Sequence, residues 1–249
     1  MFFVLMRELH ISISAEKIGY LFGIPITNSI LTTWFVMAFL VVLSYIATKN
    51  LSLVPSGFQT IVEMAIGGLH DFFRNITGNE KINRFFPLIA TIFIFVIISN
   101  WSGLLPGVGS IGFKNNGVFT PLLKGTTADL NTTFAIAIVA VGSFQYFGIK
   151  ELGLSYFKKF INFKSPIAFF IGLLDIVSEI SKVISFAFRL FGNIFAGEVL
   201  LAVIGSLIPL IAPLPFLGLE VFVGFIQALV FSMLTAVFLN MAVTIETHD

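Results

Sequence analysis

One stretch constrains the fold more than any other: residues 166–208, a long apolar run that contains charged side chains. At about 1.5 Å per residue, a continuous helix over this stretch would be about 60 Å long, roughly twice the thickness of a bilayer's hydrocarbon core. Such a helix must tilt steeply, bend, or lie partly across a membrane. Within it stands Arg189, whose guanidinium stays charged and is costly at bilayer depth. A charge at that depth needs a partner, a water-filled cavity or a function.

The composition supports a membrane protein. Of 249 residues, 57% are hydrophobic and 11% are charged, against about 25% charged in soluble domains. The net charge of +1 creates no basic field, so we expect no nucleic-acid partner. The chain has no cysteine and its three histidines are scattered along the sequence. We therefore expect no metal site and no cofactor.

Apolar runs of roughly membrane-spanning length recur along the chain. They lie at residues 29–47, 85–105, 132–149, 166–208 and 216–245. We therefore predict an all-α membrane protein with five spanning helices, forming a single integral membrane domain over residues 1–249. The last two of these helices are predicted to be long and strongly tilted.

Residues 56–73 show a different pattern. Apolar residues recur on one helical face, while Gln59, Glu63 and His70 lie opposite. This pattern predicts an amphipathic helix on the membrane surface or against a partner. The alternative is a helix that packs on its own neighbours in the chain.

Basic residues in the loops predict the orientation, because cytoplasmic loops carry an excess of lysine and arginine. The larger group contains Lys49, Arg74, Lys81, Arg84, Lys150, Lys158, Lys159 and Lys164, and the smaller group contains Arg7, Lys17, Lys114 and Lys124. The larger group is therefore assigned to the cytoplasm or its equivalent. The N-terminus is then outside and, with five spans, the C-terminus is inside.

The last two predicted spans contain many ionisable and polar residues. These are Asp175, Glu179, Lys182, Ser185, Arg189, Asn193, Glu198, Glu220 and Gln227. Ionisable groups inside a membrane are functional candidates by default. The alternative is that they form neutral internal pairs that fix helix packing.

Helical geometry arranges part of this set along one face. At about 100° per residue, Ser185 and Asn193 lie one turn on either side of Arg189, close to its face. Lys182 lies about two turns before Arg189 on that face, and Asp175 about 20 Å before it along the axis. Polar groups therefore approach Arg189 from one side of the membrane on a single face.

Other polar groups extend from Arg189 toward the opposite side of the membrane. Glu198 lies about 180° round the helix from Arg189 and about 13 Å farther along the axis. Glu220 and Gln227 share a face of the last helix, and that face could meet Glu198, in an arrangement that suits a proton relay. Small residues near the arginine would let another helix approach closely; they are Gly192, Ala196 and Gly197.

At these residues the sequence resembles a known family, subunit a of the F-type ATP synthases. The segment FRLFGNIFAGE (188–198) is similar to the arginine motif of that subunit. The resemblance also includes ISNWSGLLPG (98–107), TADLN (127–131) and the closing helix with Gln227. It covers nearly the whole chain in order, from about residue 10 to the end.

The resemblance implies a stator subunit in the membrane Fo sector of ATP synthase, with no active site of its own. Its long tilted helices would lie against a rotating ring of c subunits. Two offset half-channels would carry protons to and from the ring and couple their translocation to ATP synthesis. The implied partners are the c-ring subunits, the b subunits of the peripheral stalk, membrane lipid and the translocated proton.

The family's functional residues are carried over by motif. Arg189 matches the essential arginine that pairs with the carboxylate of each passing c subunit. The outer half-channel is matched by Asn193, Glu198, Glu220 and Gln227; the position of Glu220 is histidine in some members. The inner half-channel is matched by Asp175, Lys182 and Ser185.

Two other classes of function are alternatives to this one. The first is a stand-alone secondary transporter or channel that uses Arg189 for substrate binding or gating, but the sequence shows no internal repeat or matched broken helices. The second is an intramembrane enzyme, which no Ser/His or paired-Asp arrangement supports. We expect a multi-pass protein of a bacterial plasma (inner) membrane, with an organelle inner membrane as the alternative.

Overall fold

The structure is a computed structural model. It describes residues 15–21, 23–49, 51–54, 57–79, 81–109, 111–115, 118–160, 165–208 and 211–244. Two of the loop charges that predicted the orientation, Arg7 and Lys164, lie outside these residues, as does residue 245 at the end of the last predicted span.

Helices dominate the described part of the chain, which confirms the predicted all-α class. They are α1 (Asn28–Thr48), α2 (Phe58–Thr77), α3 (Ile82–Ser102), α4 (Leu130–Leu152), α5 (Phe157–Phe160), α6 (Pro166–Leu207) and α7 (Pro213–Ala242). Within the described residues, α1, α3, α4 and α7 are long and apolar enough to cross a membrane. The fifth predicted span, α6, is longer but carries the charged residues, and its crossing stays a prediction.

Two small hairpins accompany the helices, in segments where the sequence indicated no regular structure. The strands are β1 (Lys17–Leu21), β2 (Ile24–Thr27), β3 (Gly112–Asn115) and β4 (Val118–Pro121), paired β1 with β2 and β3 with β4, both antiparallel. The first hairpin leads directly into α1, and the second lies against the start of that helix, where the Asn28 side-chain amide donates to the Pro121 carbonyl at 3.3 Å. Strands this short give too little periodicity to be seen in the sequence.

The long helix α6 runs without interruption over its 42 residues, about 63 Å at the usual rise. It starts where the Ser165 hydroxyl accepts a hydrogen bond from the Ala168 N–H at 3.1 Å, and Pro166 occupies the first turn, where its missing N–H is tolerated. No further proline follows within the helix. A continuous helix of this length is what the apolar run at 166–208 predicted.

The core lies where α3, α4, α6 and α7 pack together. Phe186 of α6 meets Phe231 of α7 edge to face, with ring centroids 4.7 Å apart, and both are almost fully buried. Burying one such side chain stabilises a fold in water by about 1.5–3 kcal/mol; in lipid the same contact acts through close packing instead. This packing fixes the rotation of α6 about its axis and so determines where Arg189 points.

The amphipathic helix α2 differs from its predicted bounds, since it begins at Phe58 and continues to Thr77. The predicted range ended one turn too early: Phe73 packs in a buried cluster with residues of α3 and α7, and Thr77, one turn later, is also buried. In the first half of α2, the apolar side chains of Phe58 and Ile61 are exposed. The helix therefore packs on its own chain through its C-terminal half and leaves the first half open.

Ionic and polar contacts gather several helix ends at one end of the bundle. The Lys81 ammonium donates to Asn240 at 3.1 Å and to Thr244 at 3.0 Å, and Arg84 forms an ion pair with Glu151. The start of α3 and the ends of α4 and α7 therefore meet, and we call this the inner end. The opposite end, with the two hairpins, is the outer end.

Candidate functional site

Arg189 lies near the middle of α6, beside an open face of that helix. Its Nη2 donates to the Ser185 hydroxyl at 3.3 Å. Among the described residues, no carboxylate lies within 4.0 Å of the guanidinium. The neighbouring Phe188 and Gly192 are exposed, whereas Leu190 on the other side of the helix is fully buried. A permanent cation therefore stands beside a surface that no element of the described chain covers.

One turn toward the outer end, a hydrogen bond joins the two longest helices. The Asn193 amide donates to the Gln227 side-chain oxygen at 2.6 Å. Gln227 is only 4% exposed, and its own side-chain nitrogen has no hydrogen-bond partner among the described residues. This hydrogen bond holds α6 and α7 together at a point one turn along α6 from Arg189.

Glu220 of α7 is seated against the backbone of α6. A Cβ atom added to Gly197 would collide with the Glu220 carboxyl group, so a glycine is needed for this approach. Glu220 is 7% exposed, and one of its carboxyl oxygens has no hydrogen-bond partner in the described structure. Burial of a polar atom without a hydrogen-bond partner is costly, so a bound water molecule or a proton is needed to satisfy this oxygen.

Glu198, the next residue on α6, points to a different neighbour. The Gly125 N–H hydrogen-bonds to its carboxylate. A Cβ on Gly125 would lie 2.6 Å from Glu198 Oε1, and one on Gly103 would lie 3.5 Å from it. The end of α3 and the loop before α4 thus form a glycine-lined seat for this carboxylate.

A lysine stands beside this seat. Burial lowers the pKa of Lys124, and the negative charges of Glu198, Asp129 and Glu16 oppose that effect. From the sequence alone, Lys124 is recognisable only as a loop charge. Its place in the site depends on the folding of the loop between α3 and α4 over α6, for which the sequence carried no signal.

Further buried polar atoms line the same outer half of the bundle. Ser99, Asn100 and Thr127 each have one buried side-chain oxygen without a hydrogen-bond partner among the described residues. Asn100 also donates to the Gly224 carbonyl at 2.8 Å, which ties α3 to α7. The signal that could have identified the first two is the polar pair Ser99–Asn100 inside an otherwise apolar span.

The three residues predicted for the inner half-channel do not all lie in the same environment. Ser185 is exposed and accepts a hydrogen bond from Arg189, and Asp175 is half-buried nearer the start of α6. Lys182 instead forms an ion pair with Glu179, with 2.7 Å between Nζ and Oε1. Lys182 therefore does not share the open surface beside Arg189, although the helical phase had placed it close to that face.

Comparison with known proteins identifies the family. Residues 30–240 match the protein family described as "ATP synthase A chain". The chain belongs to the ATP synthase A chain family. It is 38% identical to the chloroplastic ATP synthase subunit a of Stigeoclonium helveticum over 219 residues, which are 88% of this chain and 85% of the relative. It is 39% identical to the ATP synthase subunit a of Gloeobacter violaceus over 222 residues, 89% of this chain and 85% of that protein.

Membership of the ATP synthase A chain family confirms the resemblance read from the arginine motif. It connects the chain with ATP synthesis and proton transport in CF(0), the membrane part of the synthase. The four residues predicted for the outer half-channel lie at the junction between α6, α7 and the loop before α4; they are Asn193, Glu198, Glu220 and Gln227. Gln227 accepts a hydrogen bond from Asn193. Glu198 packs against Gly125 and Gly103, whereas Glu220 packs against Gly197.

Proposed function

We propose that this chain is the stator subunit of the membrane Fo sector and that Arg189 is the cation that meets the carboxylate of each passing c subunit. The observation that carries the proposal is the isolation of Arg189. Within the part of the chain that the structure describes, it is bonded only to a neutral hydroxyl and stands beside an uncovered helix face. A guanidinium inside a membrane is stabilised by an anion, and here the anion would come from another protein.

The outer half-channel would run along Asn193, Glu198, Glu220 and Gln227. Its support is a group of buried polar atoms, at Glu220, Gln227 and Asn100, that have no hydrogen-bond partner among the residues the structure describes. Such atoms are normally satisfied by water, and a file of water molecules between carboxyl groups carries protons. The path would end next to Arg189, where Asn193 lies on the open face of α6.

The inner half-channel would run along α6 from Asp175 to Ser185. Both residues lie on the side of the helix that leads to Arg189, and Ser185 is exposed there. Lys182 would border this route rather than line it, because its ammonium is held by Glu179. The two routes would thus leave Arg189 toward opposite ends of the bundle.

The arrangement would keep the two half-channels from joining. A guanidinium cannot give up its proton in a protein, so a proton cannot cross the gap by hopping through Arg189. The positive charge also favours the ionised form of the c carboxylate, which would release its proton before it passes. The membrane potential adds about 2.3 kcal/mol per charge per 100 mV, enough to bias rotation when leakage is blocked.

In this proposal the chain has no active site of its own and works only in a complex. Its partners would be the c-ring along α6 and α7, the b subunits of the peripheral stalk, and lipid around the remaining helices. The membrane would be a bacterial plasma membrane or the inner membrane of an organelle. Purification in mild detergent as a lone oligomer, without c subunits, would count against the proposal.

The direct test is Arg189→Ala in the whole ATP synthase, reconstituted in liposomes. We expect assembly to be kept and both ATP-driven proton pumping and proton-driven synthesis to be lost. The matched control is Arg74→Ala, which removes an exposed arginine of α2 and should leave coupling unchanged. Normal acidification by the Arg189→Ala enzyme would overturn the proposal.

A further inference from the structure

The inner half of the bundle holds a polar cluster that the proposed proton routes do not use. Glu179 binds Lys182 through one carboxyl oxygen at 2.7 Å and accepts from the Gln145 amide through the other at 2.7 Å. The Tyr156 hydroxyl donates to the Gln145 side-chain oxygen. The cluster thus joins α4, α6 and the short turn that follows α4.

The cluster holds the Lys182 charge inside the bundle. Its ammonium lies 4.7 Å from the ring centroid of Phe238 and 5.8 Å from that of Phe144, on α7 and α4. The side chains of Lys182 and Glu179 are only 20% and 16% exposed. Desolvation and the two aromatic rings both favour a tight pair over two separate ions.

Tyr156 fixes the direction of the hydrogen bonds. Its ring fills the space beside Gly148, where a Cβ would lie 2.5 Å from it. Burial, and next the charge of Glu179, raise the pKa of Tyr156 to about 12. The hydroxyl therefore keeps its proton and donates to the Gln145 oxygen, which leaves the Gln145 nitrogen to donate to Glu179.

We propose that Glu179 is a positioning residue of the rotary mechanism: held by Gln145 and Tyr156, it neutralises Lys182, so that Arg189 is the one uncompensated cation of α6. This inference rests on the proposed function. Lys182 and Arg189 are the only basic residues of α6. They are seven positions apart, about 10 Å along the axis.

An unpaired Lys182 would act on the same c-subunit carboxylate as Arg189. A c-subunit carboxylate beside Arg189 would lie about 10 Å from Lys182. At the effective dielectric of a partly hydrated protein, a positive charge at that distance shifts the ionisation equilibrium of the carboxylate by about tenfold toward the ionised form. The carboxylate would then be harder to reprotonate and would leave Arg189 more slowly. Pairing with Glu179 removes this second attraction.

The test compares Glu179→Gln, Lys182→Gln and the double variant in the whole ATP synthase reconstituted in liposomes, with proton-driven ATP synthesis as the readout. We expect Glu179→Gln to lower the rate by about tenfold. The double variant should recover to within about twofold of wild type, because no uncompensated charge remains. A purely structural role for Glu179 would give no such recovery.

Two results would overturn the inference: a wild-type rate in Glu179→Gln, or a double variant no more active than Glu179→Gln. If Glu179→Gln does not assemble, the exchanged pair Glu179→Lys with Lys182→Glu restores the ion pair in reverse. We expect its activity within about threefold of wild type, and a complete loss of activity with intact assembly would contradict the inference. Arg189→Ala separates the two proposals, because its activity reports on the stator function whatever Glu179 does.

Discussion

The close contact between Gly197 and the Glu220 carboxyl group allows a sharp test of the outer half-channel, through the change Gly197→Ala. The added methyl group would occupy the position of the Glu220 carboxyl group, so that carboxyl must move. Replacing a glycine inside a helix by alanine favours the helix by about 0.5–1 kcal/mol. Overpacking a filled site costs about 1–3 kcal/mol. The net loss of stability is therefore about 0–2.5 kcal/mol, small enough for the complex to assemble.

The expected effect on activity is much larger than the effect on stability. A carboxyl group displaced by about 1 Å from a proton path can lower the rate by about 10- to 100-fold. ATP-driven acidification of inverted vesicles measures this rate, and thermal unfolding of the complex measures stability. The matched control is Gly142→Ala on α4, where an added Cβ meets nothing within 4 Å; it should pump normally.

A second substitution separates displacement of Glu220 from general damage. Glu220→Asp shortens the side chain by one methylene and withdraws the carboxyl from the new methyl group. We expect the Gly197→Ala, Glu220→Asp double variant to pump several-fold faster than Gly197→Ala alone. Wild-type pumping in Gly197→Ala, or a double variant that pumps no faster than the single one, would refute this role for the position of the Glu220 carboxyl group.

Further predictions concern the outer relay and the inner cluster. Gln227→Leu and Glu198→Leu should each lower ATP-driven pumping less than Arg189→Ala does, because water can replace one member of the relay but not a fixed cation. Complete loss of pumping in both variants, with assembly intact, would show that no such replacement occurs. Tyr156 has a folded pKa of about 12, above its unfolded value of 10.0, so its contribution to stability is present below pH 10 and declines as the pH rises toward 12. Unfolding of the purified protein across that range should therefore depend less on pH in Tyr156→Phe, and identical pH profiles would contradict the assignment.

Hydropathy and motif together predicted much of this protein. The runs at 29–47, 85–105 and 132–149 correspond to α1, α3 and α4, because membrane-spanning length is a property of local composition. The long α6 followed from an apolar stretch with no internal proline. The family followed from the arginine motif, whose residue pattern is unusual enough to be specific.

The sequence was less informative wherever tertiary packing decides the outcome. Helical phase placed Lys182 on the face of Arg189, but a flexible side chain reached Glu179 and the rings of Phe144 and Phe238 instead. Lys124 and Gly125 were missed because they reach Glu198 only after a long loop folds back over α6. Such contacts join residues far apart in the sequence, and no local periodicity records them.

Chemical cross-linking can identify what covers the open face beside Arg189. The chain has no cysteine, so Gly192→Cys offers one attachment point for a maleimide-linked photocross-linker in native membranes, with Phe39→Cys on the exposed face of α1 as control. We expect Gly192→Cys, but not Phe39→Cys, to cross-link to a small ring-forming subunit with a carboxylate within its membrane segment. Cross-linking of Gly192→Cys only to lipid, or to a second copy of this chain, would contradict it.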